Sequence, residues 1–165
     1  MLLPSLKPTQ LGRLISDVAI SYGLDPQFVA AVVVQESDGN PFAIRYEPAF
    51  YEKYIQGTSS QRMLGHVPKL CSLITEKNAR ATSWGLMQIM GQVARERGFK
   101  EDFLSSLIDP KTNLTVGVGF LKHLLDSRGS KEAALLKYNG GGDPKYAEKV
   151  LSHIHSGDAG SLLFS

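Results

Sequence analysis

DPQFVAAVVVQES, residues 25–37, holds a run of β-branched valines that a buried strand and a buried helix would carry equally well. Two features choose between them. Asp25 offers a side-chain acceptor for the first free N–H groups of a helix, and Pro26 fits the first helical position, where its missing N–H costs nothing. The apolar stretch is also long for a strand, so the segment reads as a helix over 26–37. It stops at Gly39, Asn40 and Pro41. The neighbours follow the same grammar. Leu11, Leu14, Ile15, Val18, Ala19 and Tyr22 recur at helical spacing and end before Gly23. Asp109-Pro110 and Asp143-Pro144 repeat the Asp-Pro entrance and predict helices over 110–127 and 144–155. Two more are predicted at 84–97, closed by Gly98, and at 131–138, entered at Ser130. Extended signal is confined to PFAIRY (41–46) and NARATSW (78–84), and residues 57–81 read as a loop with one short helix. The fold class is therefore mainly α, a single helical domain over 1–165 with a small irregular β element.

Bulk properties exclude several classes. At 165 residues the chain is long enough for one domain with a core of its own. Hydrophobic content of 42% and charged content of 21% are ordinary globular values. A net charge of +2 suits an anionic polymer but lacks the heavy basic clustering of a nucleic-acid binder. No run is long enough to cross a bilayer, so stable membrane insertion is not expected. The opening MLLPSLKPTQ has no charged n-region and no small-residue cleavage site, and does not read as a signal peptide. Cys71 alone forms no internal disulfide, and within KLCSLI it reads as part of an apolar helix face. His66, His123, His153 and His155 make no metal-binding pattern; His153 and His155 would splay on a helix and read as surface residues.

One residue contradicts its surroundings. Glu36 lies in the last turn of the 26–37 helix, where apolar neighbours strip water from a carboxylate and the negative end of the helix dipole disfavours an anion. A sequence chosen for stability alone places Lys or Arg there, and such local contradictions concentrate at functional sites. A carboxylic acid that keeps its proton near neutral pH is a natural donor for breaking a glycosidic bond. The structural alternative is a glutamate that caps or pairs with the following loop.

Three segments extend this reading: ESDGNPFA (36–43), SWGLMQIM (83–90) and KYNGGG (137–142). In this order they resemble the three motifs of the soluble lytic transglycosylase catalytic domain, a relative of goose-type lysozyme, and the resemblance covers roughly residues 10–155. It implies a lysozyme-like α+β fold and cleavage of the β-1,4 bond between N-acetylmuramic acid and N-acetylglucosamine in peptidoglycan, leaving 1,6-anhydromuramoyl ends. Glu36 would be the single acid and base. Ser83 and Gln88 would hydrogen-bond sugar groups or the reacting acid, and Met87 would line the cleft. Tyr138 would set its hydroxyl near the acid, with Asn139 against an acetamido group. KYN stands where AYN is commoner, adding a charge at Lys137 that is expected to point outward.

The remaining candidates carry two readings each. Gly85 lets a sugar or another stretch of backbone approach closely; Leu86 and Ile89 read as core. Tyr138 and Asn139 also suit a helix C-cap with Gly140 in the left-handed conformation. Trp84 reads as packing at the start of its helix, with stacking on a sugar ring as the other reading. Glu47 shares a strand face with Arg45 if that stretch is extended, and serves either as a second catalytic carboxylate, as a substrate contact or as the partner of Arg45. In the catalytic role it would turn the reaction towards hydrolysis, the muramidase alternative. A non-catalytic wall-binding module of a virion or secretion apparatus is the rival outside enzymes. No cofactor is called for, and the partner expected is the glycan strand of peptidoglycan, met by a monomer. A chain made in the cytoplasm without a signal peptide reaches the wall only after release or delivery, as an endolysin or a virion-borne enzyme does.

Overall fold

The valine-rich segment is a helix. The computed structural model describes residues 8–58 and 69–164, and in it α2 runs Pro26–Ser37, with the Asp25 side chain accepting from the Gln27 N–H at 3.0 Å. Phe28 through Val33 are all buried. Six consecutive residues withdrawn from solvent means burial all round the helix, which explains why the run shows no amphipathic period. The neighbours that surround it are α1 (Pro8–Ser21), α8 (Tyr146–His155) and α9 (Asp158–Phe164). Each large side chain so buried contributes about 1.5–3 kcal/mol. The approach of α1 to α9 depends on Gly12, where a Cβ would sit 2.3 Å from the Leu163 carbonyl oxygen.

These helices, with α7 (Lys131–Tyr138), belong to one of two compact units, formed by the chain up to Gly39 and from Gly117 onward. The second unit is Asn40–Val116. It holds a three-stranded antiparallel sheet in the order β1 (Ile44–Tyr46), β2 (Thr82–Trp84), β3 (Ile89–Met90), with Ser83 opposite both Arg45 and Met90. The single turn α3 (Pro48–Phe50) runs into a π-helical turn, Tyr51–Ile55. The helices α4 (Leu73–Arg80) and α5 (Gly91–Glu96) and a 3₁₀ segment, Leu104–Ile108, complete the unit. The long helix α6 (Pro110–Arg128) carries the chain out of it, entered at Asp109, whose carboxylate accepts from the Thr112 N–H at 2.8 Å.

The second unit has an ionic core. Arg80 Nε and Arg95 Nε each donate to Glu76 Oε1 at 2.8 Å, and a terminal nitrogen of Arg95 donates to Oε2 at 3.0 Å. All three residues are buried. One carboxylate between two guanidinium groups satisfies its lone pairs, and removing it would leave two buried cations without their shared counter-charge.

Several sequence expectations hold. The helices read near 26–37, 110–127 and 131–138 are present, the last capped by Ser130 accepting from the Ala133 N–H at 3.2 Å. The two segments read as extended contain β1 and β2, which pair with each other. Other expectations need correction. No helix spans 84–97: Gly85 (φ +67°) and Gln88 (φ +45°) take left-handed conformations, so residues 85–88 turn the chain from β2 into β3 and helix begins only at Gly91. Trp84 accordingly sits on a strand, donating its Nε1–H to the Ala79 carbonyl at 2.9 Å. At the third Asp-Pro, Asp143 accepts from the Lys145 N–H at 2.9 Å, and the helix opens two residues later than expected, at Tyr146. Cys71 precedes α4 rather than lining it; Ser72 is the cap, accepting from the Thr75 N–H, and Leu73 and Ile74 beyond it are exposed. His66 and the rest of residues 59–68 lie outside the described residues.

Candidate active site

Glu36 occupies the last turn of α2, half-buried, beyond six wholly buried residues. Two tyrosines face it within the same unit. The Tyr146 hydroxyl donates a short hydrogen bond to Glu36 Oε1. Burial, followed by the charge of Glu36, that of Tyr138 and this hydrogen bond, raises the Tyr146 phenol far above its usual range. Burial and then the same glutamate's charge push the Tyr138 phenol well above the ordinary value. Both hydroxyls therefore stay protonated at any working pH, and that of Tyr146 acts as the donor to Glu36. A donor on a carboxylate favours the ionised form, opposite in sign to the burial and helix-end effects visible in the sequence. The arrangement sets an acid between two opposing influences, as a group that must give up a proton and later take one back requires.

Tyr138 ends α7, and its ring packs on Phe120, with centroids 5.4 Å apart. Asn139 follows as the cap, and Gly140 takes a φ of +71° with its N–H bonded to the Lys137 carbonyl. The glycine run thus terminates the helix immediately after the tyrosine. Lys137 is exposed. The sequence reading missed Tyr146. It opens α8, buried like Val150 one turn on, and that i, i+4 pair in YAEKV was the available signal.

His153 needs correction as well. It is half-buried, whereas His155 is exposed as expected: the His153 Nε2 lies 3.1 Å from Gln35 Oε1 and its Nδ1 3.1 Å from Asp158 Oδ2. These groups line a pocket of about 620 Å³ that also includes Val34 and Asp38. Hydrogen bonds from Ser156 and then His153 hold the Asp158 carboxyl below the usual range. Among the described residues, no group of three or more His, Cys, Asp or Glu side chains is arranged to hold a metal ion.

The second motif and Glu47 lie in the second unit. Gln88 is fastened from its left-handed position by its side-chain amide, which donates to the carbonyls of Ala43 and Gly85, both at 3.0 Å. The Gly85 N–H donates back to the Ala43 carbonyl at 2.7 Å. The end of the first motif and the turn of the second are thus tied together. Gly85 is required by close packing: a Cβ there would meet Asn113 Nδ2 at 2.5 Å and the Leu107 carbonyl oxygen at 2.6 Å. Asn113, fully buried, accepts from the Met87 N–H at 2.8 Å and donates to the Trp84 and Leu107 carbonyls at 2.7 and 2.8 Å. Ser83 is buried on β2. Leu86 and Ile89 are core, as their sequence suggests, and Met87 joins them with no exposed surface. Glu47 closes β1, its N–H donating to the Ala81 carbonyl at 2.8 Å and its Oε1 accepting from Arg45 Nε at 2.5 Å.

A family model described as the transglycosylase SLT domain matches residues 13–152. The chain belongs to the transglycosylase SLT domain family. It is also similar to a protein of Enterobacteria phage PRD1 named Transglycosylase, with 28% identity over 149 residues that make up 86% of this chain and 42% of that protein. The chain thus spans about two fifths of that relative's length. No solved structure matches it. The SLT match takes in all three motifs together with Tyr146, and no helix among the described residues is long and apolar enough to cross a membrane.

Proposed function

We propose that this SLT domain is a peptidoglycan lytic transglycosylase that breaks the β-1,4 bond between N-acetylmuramic acid and N-acetylglucosamine and leaves a 1,6-anhydromuramoyl end. Glu36 is the acid and base. Its proton passes to the glycosidic oxygen as the C1–O bond breaks. The C6 hydroxyl of the muramic residue then attacks C1, and its proton goes to the Glu36 carboxylate, which restores the starting state. No water is consumed, and one carboxylate used twice replaces the pair employed by most glycosidases. Tyr146 steadies the anionic half of this cycle by donating to the carboxylate; Tyr138 adds a second protonated phenol to the surroundings of the acid. Ser83, Gly85, Gln88 and Asn139 are assigned to binding and shaping the sugar site, with Met87 supporting the turn from within.

The observation that carries the reading is the Tyr146 hydrogen bond onto a glutamate at the end of a buried helix, where stability alone would place a cation. The family match and the phage relative's name support it. Glu36→Gln tests it. The amide keeps an acceptor for Tyr146 but has no proton to give, so release of soluble fragments from purified walls should fall by at least about a thousandfold, the scale of losing a general acid; retention of most activity would exclude Glu36 as the acid.

Glu47 decides the alternative. A hydrolytic muramidase requires it to position water, whereas its ion pair with Arg45 favours a scaffolding or substrate-contact role. We further propose that the domain acts on the wall after release from a host cell or as part of a virion, for which the phage relative is the support.

A further inference from the structure

The second unit carries an aromatic surface that the chemistry at Glu36 does not use. On β1, the edge strand of the sheet, Ile44 is 60% and Tyr46 44% exposed, and Phe42 just before them is 56% exposed. Ile44 and Tyr46 share one strand face by alternation. The neighbouring turns add rings: Tyr46 meets Tyr51 with centroids 6.1 Å apart, and Phe50 meets Tyr54 at 4.9 Å. Tyr54 is 53% exposed, with the Lys53 ammonium 5.0 Å from its ring centroid. A strand needs neither face this apolar when both are open to water, and a contiguous exposed apolar strip marks a contact surface.

We propose that Phe42, Ile44, Tyr46 and Tyr54 form an accessory platform for the glycan strand, stacking on sugar rings beyond those at the scissile bond. The inference rests on the wall-cleaving reading above. Two observations select a glycan as the occupant. The strip is tied to a residue assigned to the sugar site, because the Gln88 amide is bonded to the carbonyl of Ala43, the residue between Phe42 and Ile44. Its composition is aromatic with phenol hydroxyls, which supplies flat apolar faces for the C–H side of a pyranose and polar edges for its hydroxyls. Charge does not enter the choice: Arg45 is paired with Glu47 through Nε, and exposed Lys53 stands beside exposed Glu52, so the patch carries both signs in equal number.

The test separates this surface from the catalytic reading by measuring binding without turnover. In a Glu36→Gln background, Phe42→Ala with Tyr46→Ala should weaken co-sedimentation with insoluble purified wall by about tenfold, the loss expected of two stacked rings, with the thermal midpoint unchanged. Unchanged wall binding by the folded double variant would overturn the proposal. If that variant unfolds, Ile44→Asp takes its place: a carboxylate at an exposed position repels the wall's anions and should also weaken binding, and a folded Ile44→Asp protein that binds normally overturns the proposal. Binding to lipid vesicles in place of wall would overturn it as well. Wild-type protein that fails to digest wall while the platform variants still lose binding would instead remove the catalytic reading and leave the platform standing.

Discussion

Replacing Tyr146 by Phe removes one oxygen atom from the interior of the first unit and leaves the ring where it packs. Tyr146 is 4% exposed, so no water readily replaces the lost hydroxyl. The hydroxyl donates to Glu36 Oε1, and a hydrogen bond to a charged group is worth about 1.5–3 kcal/mol. Its effect on rate follows from when that charge exists. In the proposed mechanism Glu36 gains negative charge as its proton leaves for the glycosidic oxygen, so the bond strengthens on the way to the transition state. Loss of it should lower kcat by about 10- to 100-fold, at 1.36 kcal/mol per tenfold, with KM little changed. The pH profile should move too. Without the donor the carboxylate is less favoured, the acid holds its proton to higher pH, and the alkaline limb of the rate profile shifts upward. The assay is the initial rate of soluble fragment release from purified wall across pH. Full kcat with an unmoved alkaline limb would refute the assignment of Tyr146 to the acid's cycle.

The same two phenols bear on stability. Tyr138 and Tyr146 have folded pKa values above the unfolded value of about 10, so above that pH the folded state holds more protons than the unfolded one. Stability is intact below about pH 10 and should fall as pH rises beyond it; urea midpoints for wild type and Tyr146→Phe should converge there, and parallel curves would refute it. Asn113→Ala removes three buried hydrogen bonds around the second motif and should cost about 3–5 kcal/mol by urea unfolding; a loss under about 1 kcal/mol would mean that the turn is held by other contacts. Glu76→Gln removes the carboxylate that buried Arg80 and Arg95 share and should cost a similar 3–5 kcal/mol in the same assay. Glu47→Gln should retain wall turnover within about threefold, since its carboxylate is engaged by Arg45 in an exposed pair of modest worth; a collapse of activity would make Glu47 catalytic.

The elements most legible in the sequence are those whose signals are local. Asp25-Pro26 and Asp109-Pro110 announce helices because a cap and its proline act within four residues, and Ser130 does the same. The valine run is helical for that reason despite its β-branched residues. The failures share a cause: the deciding partner is distant in the chain. Residues 84–97 have helical composition, yet Gly85 is pinned against Asn113 and Leu107, and Gln88 is bonded to Ala43. None of these partners is visible from SWGLMQIM alone. The same holds for the site. Glu36 stands out locally as a misplaced charge, but Tyr146 lies 110 residues away and carries no motif of its own. Spacing within its own helix makes His153 read as a surface residue, whereas its partner Gln35 comes from α2.

In the proposed mechanism Glu36 acts alone, and the substrate's own hydroxyl, not water, completes the reaction. Mass spectrometry of fragments released from purified peptidoglycan distinguishes the two outcomes. Muropeptides ending in 1,6-anhydromuramic acid, each lighter by one water than its hydrolytic counterpart, are expected, with no such release by Glu36→Gln protein. Fragments ending in reducing muramic acid would contradict that mechanism.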